Sequence, residues 1–336
     1  HDYVSKEVIN VRENVGLIEV ANFSKHEFKG PDARKFLDHI MAGRLPKPGR
    51  ISLSPMLSYR GKLCGDLTVA CLDENEFMVF GSGAAQEMHR RWFESHLDKF
   101  NLSYSNRSDE YHGLSIAGPN SRKVLEKIVR DDVSNEKFKF RDSRRMFVGG
   151  VPAIINRISF TGELGYEIYV APHYQLKLYE ELMEAGKEFN IKPFGGRALM
   201  SMRLEKNWGA WTLDYRPDFT AKETGLDAFI NWDKEFIGKE SAQKENSSNK
   251  LVPLIVETNE IDVTNNEAVL NGDQSIGYVT SGGFAHFVNK SVAFTFVDQK
   301  NIKSENKIQV EINGDLFNCS IIKEPLYDPS GQKMRS

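Results

Sequence analysis

The sequence predicts an α+β fold in which two related, layered halves are followed by a C-terminal β-barrel or sandwich. Two observations lead to this prediction. A strand, a Gly-Pro pair and an amphipathic helix occur twice, in Phe28 to Ile40 and again in Ser115 to Ile128. From about Glu245 the chain changes to a polar linker followed by successive strands. Alternating β and α elements with split pairing are typical of α+β layers.

In the repeated unit, proline suits the first turn of the helix and the next residue can cap it. Pro31 and Pro119 have the φ angle that a helix start requires. Asp32 and Asn120 are expected to accept hydrogen bonds from the free amides of that turn. Apolar residues then recur at helical spacing, which predicts one buried face for each helix.

The remaining segments fill these halves and the C-terminal region. Helices are predicted at 84–100, 174–189 and 195–207, and the stretch from Arg157 to Val170 predicts two short strands around a glycine-bounded turn. The C-terminal strands are predicted in KLVPLIVE, SIGYVTSG, KSVAFTFVD, KIQVEI and FNCSIIKE, with turns at Asn271-Gly272 and Asn313-Gly314. Three domains are predicted. The first α+β domain consists of residues 1–50 and 111–190, and the second α+β domain consists of residues 51–110 and 191–244. The C-terminal β-barrel consists of residues 245–336.

Charge and composition indicate a small-molecule partner. Lys and Arg (44) nearly balance Asp and Glu (47) without a block of one sign, which argues against nucleic acid or an acidic membrane surface. No run of about 18 apolar residues and no signal-like N-terminus is present, so a cytoplasmic protein is expected. The three cysteines lack metal-site spacing, so no metal is predicted and all three are expected to be reduced.

Three ionisable residues are candidates for chemistry. Asp66 lies in a strand of apolar and small residues, where lost solvation can raise its pKa towards general-base use; the alternative is a satisfied structural aspartate. Tyr166 and Ile168 are expected on the buried face of their strand, and Glu167 points to the opposite face. That opposite face borders either a pocket or solvent. Arg197 opens a helix and can clamp an anion, unless it is an ordinary exposed arginine.

A family resemblance is carried by seven segments in one order: SPML, GDLTV, GPNSRKVL, SFTGELGYEIYV, GRALMSMRLEK, TGLDAFINWDKEFIGKE and IGYVTSGGFAHFVNKSVAF. From about Glu7 to the end, the chain resembles the glycine-cleavage T-protein family of tetrahydrofolate-dependent aminomethyltransferases. Within it, the chain is similar to the folate domain that forms the C-terminal half of dimethylglycine and sarcosine dehydrogenases.

The resemblance implies a three-domain cloverleaf, with ferredoxin-like α/β layers and a C-terminal β-barrel around a tetrahydrofolate channel. It assigns the catalytic aspartate to Asp66, the pterin-binding glutamate to Glu167 and a supporting arginine to Arg197. The further cofactor contacts that it suggests are Phe160, Tyr59 and Met56. For a cationic substrate, Trp208, Trp211 and Tyr215 are the candidate walls of an aromatic cage. The alternative for the two tryptophans is that they fill a domain seam.

The chain departs from the family pattern at three places. Phe160 stands where many relatives have tyrosine, so a relay through that hydroxyl is in doubt. The segment Gly81 to Gly83 replaces a typical asparagine, which puts recognition of a lipoyl-bound aminomethyl group in doubt. The chain carries no GxGxxG flavin motif, so it is not expected to oxidise an N-methyl amine by itself.

These features predict capture of a methylene iminium or formaldehyde unit to form 5,10-methylenetetrahydrofolate. Two alternatives stay open: a demethylase that forms 5-methyltetrahydrofolate, and a folate-binding subunit without turnover. The expected partners are a small-molecule one-carbon donor and, as an open alternative, a separate flavoprotein.

Overall fold

The strands form two open sheets and one closed barrel. The structure is a computed structural model that describes residues 1–258, 260–302 and 308–336. The N-terminal elements are α1 (Asp2–Glu13), β1 (Val15–Glu19), β2 (Ser24–Lys29), α2 (Ala33–Ile40), β3 (Arg50–Leu57), β4 (Leu63–Asp73), β5 (Glu76–Gly81), α3 (Gln86–Glu94) and β6 (Ser103–Asn106). The central elements are β7 (His112–Ala117), α4 (Ser121–Glu126), β8 (Ser143–Val148), β9 (Val151–Asn156), β10 (Gly165–Val170), α5 (Gln175–Gly186), β11 (Ile191–Pro193), α6 (Gly196–Glu205), α7 (Ala221–Thr224) and α8 (Lys239–Gln243). The C-terminal elements are β12 (Asn249–Val256), β13 (Ala268–Asn271), β14 (Gln274–Ala285), β15 (Lys290–Asp298), β16 (Ile308–Ile312), β17 (Asp315–Ile321) and α9 (Gln332–Arg335).

The two open sheets contain the same supersecondary unit, so the repeat found in the sequence is confirmed. The first sheet has the order β11-β1-β7-β10-β9-β8, and the second has the order β3-β4-β5-β2-β6. In the first sheet β7 is followed by α4 and by the antiparallel strands β8, β9 and β10, the last of which pairs with β7. In the second sheet β2, α2, β3, β4 and β5 repeat this path, and β5 pairs with β2.

Glycine is required at the same place in both units, between the strand and the helix. Gly30 has φ of +135° and Gly118 has φ of +133°, a region that side chains disfavour. A Cβ atom at Gly30 would lie 2.8 Å from the Cα of Leu102, and one at Gly118 would lie 2.5 Å from the carbonyl oxygen of Asn14. The Gly-Pro pairs therefore mark a close backbone approach as well as a helix start.

The predicted caps of the two helices are wrong. Asp32 and Asn120 occupy the N-cap positions, but neither side chain bonds to an amide of its helix. The Asp32 carboxylate instead accepts from the backbone amide of Asn101 at 2.8 Å. Since this contact ties the helix start to the loop before β6, a tertiary bond has replaced the local cap.

The chain passes from one sheet to the other at positions that differ from the predicted domain boundaries. β2 lies in the second sheet, although the prediction placed residues 1–50 in the first domain. β11 pairs in parallel with β1 of the first sheet, although the prediction placed residues 191–244 in the second domain. The two units are thus interleaved more closely than the composition of the segments indicates.

The stretch from Arg157 to Val170 contains one strand rather than the two that were predicted. β9 ends at Asn156, and the Arg157 amide donates to the carbonyl of Asp142 at 2.9 Å instead of continuing the ladder with β10. Gly162 has φ of +85°, which directs the chain into β10. The apolar run before the glycine is therefore a loop beside the sheet.

The six C-terminal strands close into a barrel with the order β12-β15-β14-β13-β16-β17, which resolves the choice between barrel and sandwich. Apolar side chains from all of these strands fill its centre. β13 was not predicted, because four residues are too few to show an alternating pattern. The turns at Gly272 and Asn313 have positive φ, as their sequences predicted.

The two open sheets pack against each other through one face each. Ala70, Met78 and Phe80 of the second sheet contact Ile154 and Tyr169 of the first. Among the described residues, no helix is long and apolar enough to span a membrane, and no group of three or more His, Cys, Asp or Glu could hold a metal ion.

Candidate functional site

A row of mostly polar side chains crosses the first sheet on the face that looks towards the second sheet. The strand registers place its members directly opposite one another in the order Ile18, Ser115, Glu167, Asn156 and Ser143. Residues that are opposite in an antiparallel pair point to the same face, with Cβ atoms about 4.5–5.5 Å apart. These five side chains therefore share one strip of the sheet.

This strip lies between two covered parts of the same face. On one side, Ala117 packs against α1 and α6, and the space above Gly16 is filled by Val11 and Phe194. On the other side, Tyr169 packs against the second sheet. The strip of Glu167 is the part of the face between these two contacts.

Glu167 is a buried carboxylate, 8% exposed, that has no cationic partner among the described residues. The Tyr169 hydroxyl donates to its Oε2 at 2.8 Å. Burial raises the pKa of Glu167 to about 7, and the hydrogen bond from Tyr169 opposes that shift. Tyr166 and Ile168 lie on the other face, in the core of the first sheet, so the predicted alternation is confirmed.

Asp66 is a half-buried carboxylate on β4 of the second sheet. It lies opposite Pro55 and has the same strand parity as Ala70, which belongs to the contact between the sheets. Burial raises the pKa of Asp66 to about 7, and no described cation compensates for the lost solvation. A carboxyl with a pKa near neutrality can both accept and release a proton.

Strand register and two side-chain contacts relate the two carboxyls across the sheets. Thr68, two residues after Asp66 on the same face, lies opposite Phe80. The Phe80 ring stacks on Tyr169 with centroids 4.6 Å apart, and Tyr169 bonds to Glu167. Asp66 and Glu167 therefore lie on the two sheet faces that are turned towards each other.

A cavity of about 840 Å³ opens beside the Ile18 end of this strip. Phe160 lines it, together with Gly196 and Leu199 from the start of α6. Arg197, between these two residues, is exposed and makes no hydrogen bond or ion pair to the described part of the chain. The cavity thus brings together the predicted ring of Phe160 and the helix start that carries Arg197.

Met56 and Tyr59, two predicted cofactor contacts, lie elsewhere. Met56 is fully buried in the core of the second sheet, because it alternates with Pro55 and so points away from the Asp66 face. Tyr59 is 65% exposed in the β3–β4 turn, and its hydroxyl lies 2.9 Å from Nε2 of His96. The prediction that these two side chains contact the cofactor is not supported.

The three aromatic side chains of the predicted cage separate into two groups. Trp208 stacks on Phe160 with centroids 5.8 Å apart. Trp211 pairs with Tyr215 and lies 6.1 Å from the ring of His89. Burial, with a contribution from the Asp66 charge, raises the pKa of Tyr215, so Tyr215 lies on the Asp66 side of the site. The structure does not assemble one cage from all three.

Asp214, which the sequence analysis missed, anchors the loop that carries these aromatic residues. Its carboxylate accepts from the buried Arg203 guanidinium at 2.7 Å. The hydroxyls of Thr280 and Ser281 on the barrel strand β14 donate to it at 2.6 and 2.7 Å. Since the partners are 11 and about 66 residues away in sequence, no local pattern reveals this role.

The two raised carboxyl pKa values predict that the stability of the protein without ligand decreases as pH rises from about 4 to about 7. Asp66 and Glu167 bind protons more tightly in the folded chain than in the unfolded chain. Each therefore lowers the free energy of unfolding by up to roughly 1.4 kcal/mol per pH unit in that window. Chemical denaturation at several pH values measures this slope.

The control is the double variant Asp66→Asn and Glu167→Gln, which is expected to lose that part of the slope. A slope that is unchanged in the double variant would show that other groups cause it.

Two family models match the chain. The model described as GCVT N-terminal domain matches residues 1–234, and the model described as glycine cleavage T-protein C-terminal barrel domain matches residues 249–328. Together they cover both open sheets and all six strands of the barrel.

Individual relatives agree with these models. Mitochondrial dimethylglycine dehydrogenase from Mus musculus is 35% identical over 96% of this chain but only 38% of its own length. An aminomethyltransferase from Thermoanaerobacter pseudethanolicus is 29% identical over 96% of this chain and 89% of its own. The crystal structure of aminomethyltransferase T of the glycine cleavage system from Bartonella henselae superposes with a TM-score of 0.88 at 23% identity, covering 97% of this chain and 90% of that chain. The mixed α/β architecture with its closed barrel therefore matches the fold that was predicted.

Proposed function

Because the chain belongs to the glycine cleavage T-protein family, whose members depend on tetrahydrofolate, we propose that it is a tetrahydrofolate-dependent one-carbon transferase. Its reaction captures a methylene iminium, or formaldehyde in equilibrium with it, to form 5,10-methylenetetrahydrofolate. One observation supports this proposal: Asp66 and Glu167, two carboxyls without a cationic partner in the described part of the chain, lie on the facing sides of two sheets that pack against each other.

The residues of the site fit a reduced pterin. Glu167 offers two carboxylate oxygens to the adjacent N–H donors of a ring nitrogen and an amino group, an arrangement that matches a fork of two hydrogen bonds. Phe160 offers an aromatic ring in the neighbouring cavity, and Arg197 at the start of α6 would support the orientation. When bound, tetrahydrofolate supplies N5, a nucleophile that accepts the one-carbon unit.

Asp66 would act on protons and charge where the one-carbon unit is received. With a pKa raised to about 7, a substantial fraction of this carboxyl is ionised at neutral pH, so it can take up a proton or stabilise a cation. Glu167 would orient the pterin, and Asp66 would take up a proton or stabilise positive charge. The chain therefore mainly contributes positioning and charge to the reaction.

The source of the one-carbon unit is expected to be a methylated amine oxidised by a flavoprotein. The chain spans 38% of the dimethylglycine dehydrogenase that it matches, and we propose that the oxidation of the amine takes place outside residues 1–336. Location in the cytoplasm stays a prediction.

The test is to incubate the chain with tetrahydrofolate and, separately, with formaldehyde, dimethylglycine or a methylated sulfonium compound, and to determine the mass of the folate product. We expect formaldehyde to give the methylene product faster than in a mixture without protein. Dimethylglycine is expected to react only when a flavoprotein that oxidises it is added. A methyl product from the sulfonium compound would favour the demethylase alternative. Binding of tetrahydrofolate without any product above the protein-free mixture would favour a non-catalytic subunit.

A further inference from the structure

We infer that Asn156 recognises the 4-oxo group of the pterin, and that it makes the site selective for 4-oxo over 4-amino pteridines. This inference rests on the proposed function. It concerns a residue to which neither the sequence analysis nor the family resemblance gives a role.

The Asn156 side chain has an unused hydrogen-bond donor. The residue is 0% exposed, and its Oδ1 accepts from the Ser143 hydroxyl at 2.7 Å. Its Nδ2 is buried and has no partner among the described residues. A buried donor without a partner is costly, and most such groups in folded proteins are paired. An orphan donor in a binding region is therefore explained best by a ligand acceptor.

The position of Asn156 places its side chain beside that of Glu167. Asn156 and Glu167 are directly opposite each other on β9 and β10, so their side chains lie side by side on the same face. Asn156 is also the last residue of β9, and the chain leaves the sheet immediately after it. A ligand held by Glu167 is therefore adjacent to the Asn156 amide.

The chemistry of the pterin edge matches this pair of side chains. Along that edge a reduced pterin presents the 2-amino group, the N3–H group and the 4-oxo group, which are two donors followed by one acceptor. The Glu167 carboxylate can accept both donors, because its two oxygens have about four acceptor positions and Tyr169 occupies only one. The 4-oxo group then requires a donor beside the carboxylate, and Nδ2 of Asn156 is that donor.

A 4-amino pteridine does not fit this arrangement. Its 4-amino group would face the amide nitrogen of Asn156, so that two donors meet and neither finds an acceptor. Asn156→Asp keeps the size of the side chain and an acceptor for Ser143, but it replaces the donor with an oxygen. This variant should therefore disfavour the 4-oxo compound and favour the 4-amino compound.

The experiment measures the dissociation constants of tetrahydrofolate and of its 4-amino-4-deoxy counterpart, in the same reduction state, by calorimetry with the full chain. The analogue also lacks the N3 hydrogen, which changes its contact with Glu167 in every form of the protein. The ratio of the two dissociation constants in each variant is therefore compared with the same ratio in the unsubstituted chain. For Asn156→Asp we expect the preference for tetrahydrofolate to fall at least about tenfold, consistent with one lost buried hydrogen bond. Asn156→Ala should reduce the preference in the same direction.

Asn135→Asp, the same chemical change at an exposed residue outside the site strip, is the matched control. It should leave the preference unchanged. Equal weakening of both ligands in the Asn156 variants, or the same change of preference in Asn135→Asp, would overturn the inference. Failure of the unsubstituted chain to bind tetrahydrofolate would instead overturn the proposed function, and this inference with it.

A second measurement does not depend on a variant that folds. In crystals of the unsubstituted chain soaked with tetrahydrofolate, the 4-oxo group is expected within about 3.2 Å of Nδ2 of Asn156. A pterin bound to Glu167 with its 4-oxo group directed elsewhere would overturn the inference while leaving the proposed function in place.

Discussion

Replacing Asp66 with asparagine is expected to reduce turnover at least about a hundredfold, as for the loss of a general acid or base. The substitution keeps the size of the side chain, but the amide can neither take up a proton at neutral pH nor carry a negative charge. Since Asp66 lies on the opposite sheet from Glu167, tetrahydrofolate should still bind. Steady-state rates of methylene product formation, together with a binding titration, separate the two effects.

The matched control is Asp73→Asn, the same chemical change at the exposed end of the same strand. It should leave both turnover and binding unchanged. Unchanged turnover in Asp66→Asn would remove this carboxyl from the mechanism. Loss of binding together with turnover would instead assign Asp66 to the binding of the cofactor.

The fold could be predicted largely because its units carry local signals. The Gly-Pro pairs at Gly30 and Gly118 mark backbone positions that only glycine tolerates, so the repeat is visible in the sequence. Alternating apolar residues with Asn-Gly turns likewise predicted most of the barrel strands. The path of the chain between the sheets was not predicted, because the partner of β2 is decided by packing rather than by its own residues.

The candidate site was predicted less completely, because its side chains come together through strand register. Alternation within β10 was sufficient to separate Glu167 from Tyr166. The neighbour of Glu167 on β9 depends on how the two strands pair, which no local pattern in the sequence specifies. Asn156 was therefore missed, although it is only 11 residues before Glu167 in the sequence.

Met56 shows how strand parity limits a motif-based prediction. The segment SPML was assigned to the site as a whole, but only alternate residues of a strand face one side. Pro55 lies opposite Asp66 and Met56 opposite Gly65, so Met56 belongs to the core. A motif in a strand therefore identifies a site region, while parity and register decide which of its side chains reach the ligand.

Glu167→Gln is expected to weaken the binding of tetrahydrofolate about a thousandfold. The carboxylate offers two charge-assisted hydrogen bonds to the pterin, each of which contributes about 2 kcal/mol. The amide keeps one acceptor but places a donor against a ligand donor, so both bonds are compromised, and about 4 kcal/mol corresponds to three powers of ten in the dissociation constant. Calorimetric titration of the variant and the unsubstituted chain measures the change.

Glu180→Gln, on the exposed side of α5, is the matched control and should bind tetrahydrofolate normally. The pH dependence of binding gives a further check on the cause. Because protonation removes acceptor capacity from a carboxyl whose pKa is raised to about 7, binding to the unsubstituted chain should weaken as pH falls below 7. The variant should lose this dependence. If Glu167→Gln binds as tightly as the unsubstituted chain, the pterin is held by other residues and the assignment of Glu167 is wrong.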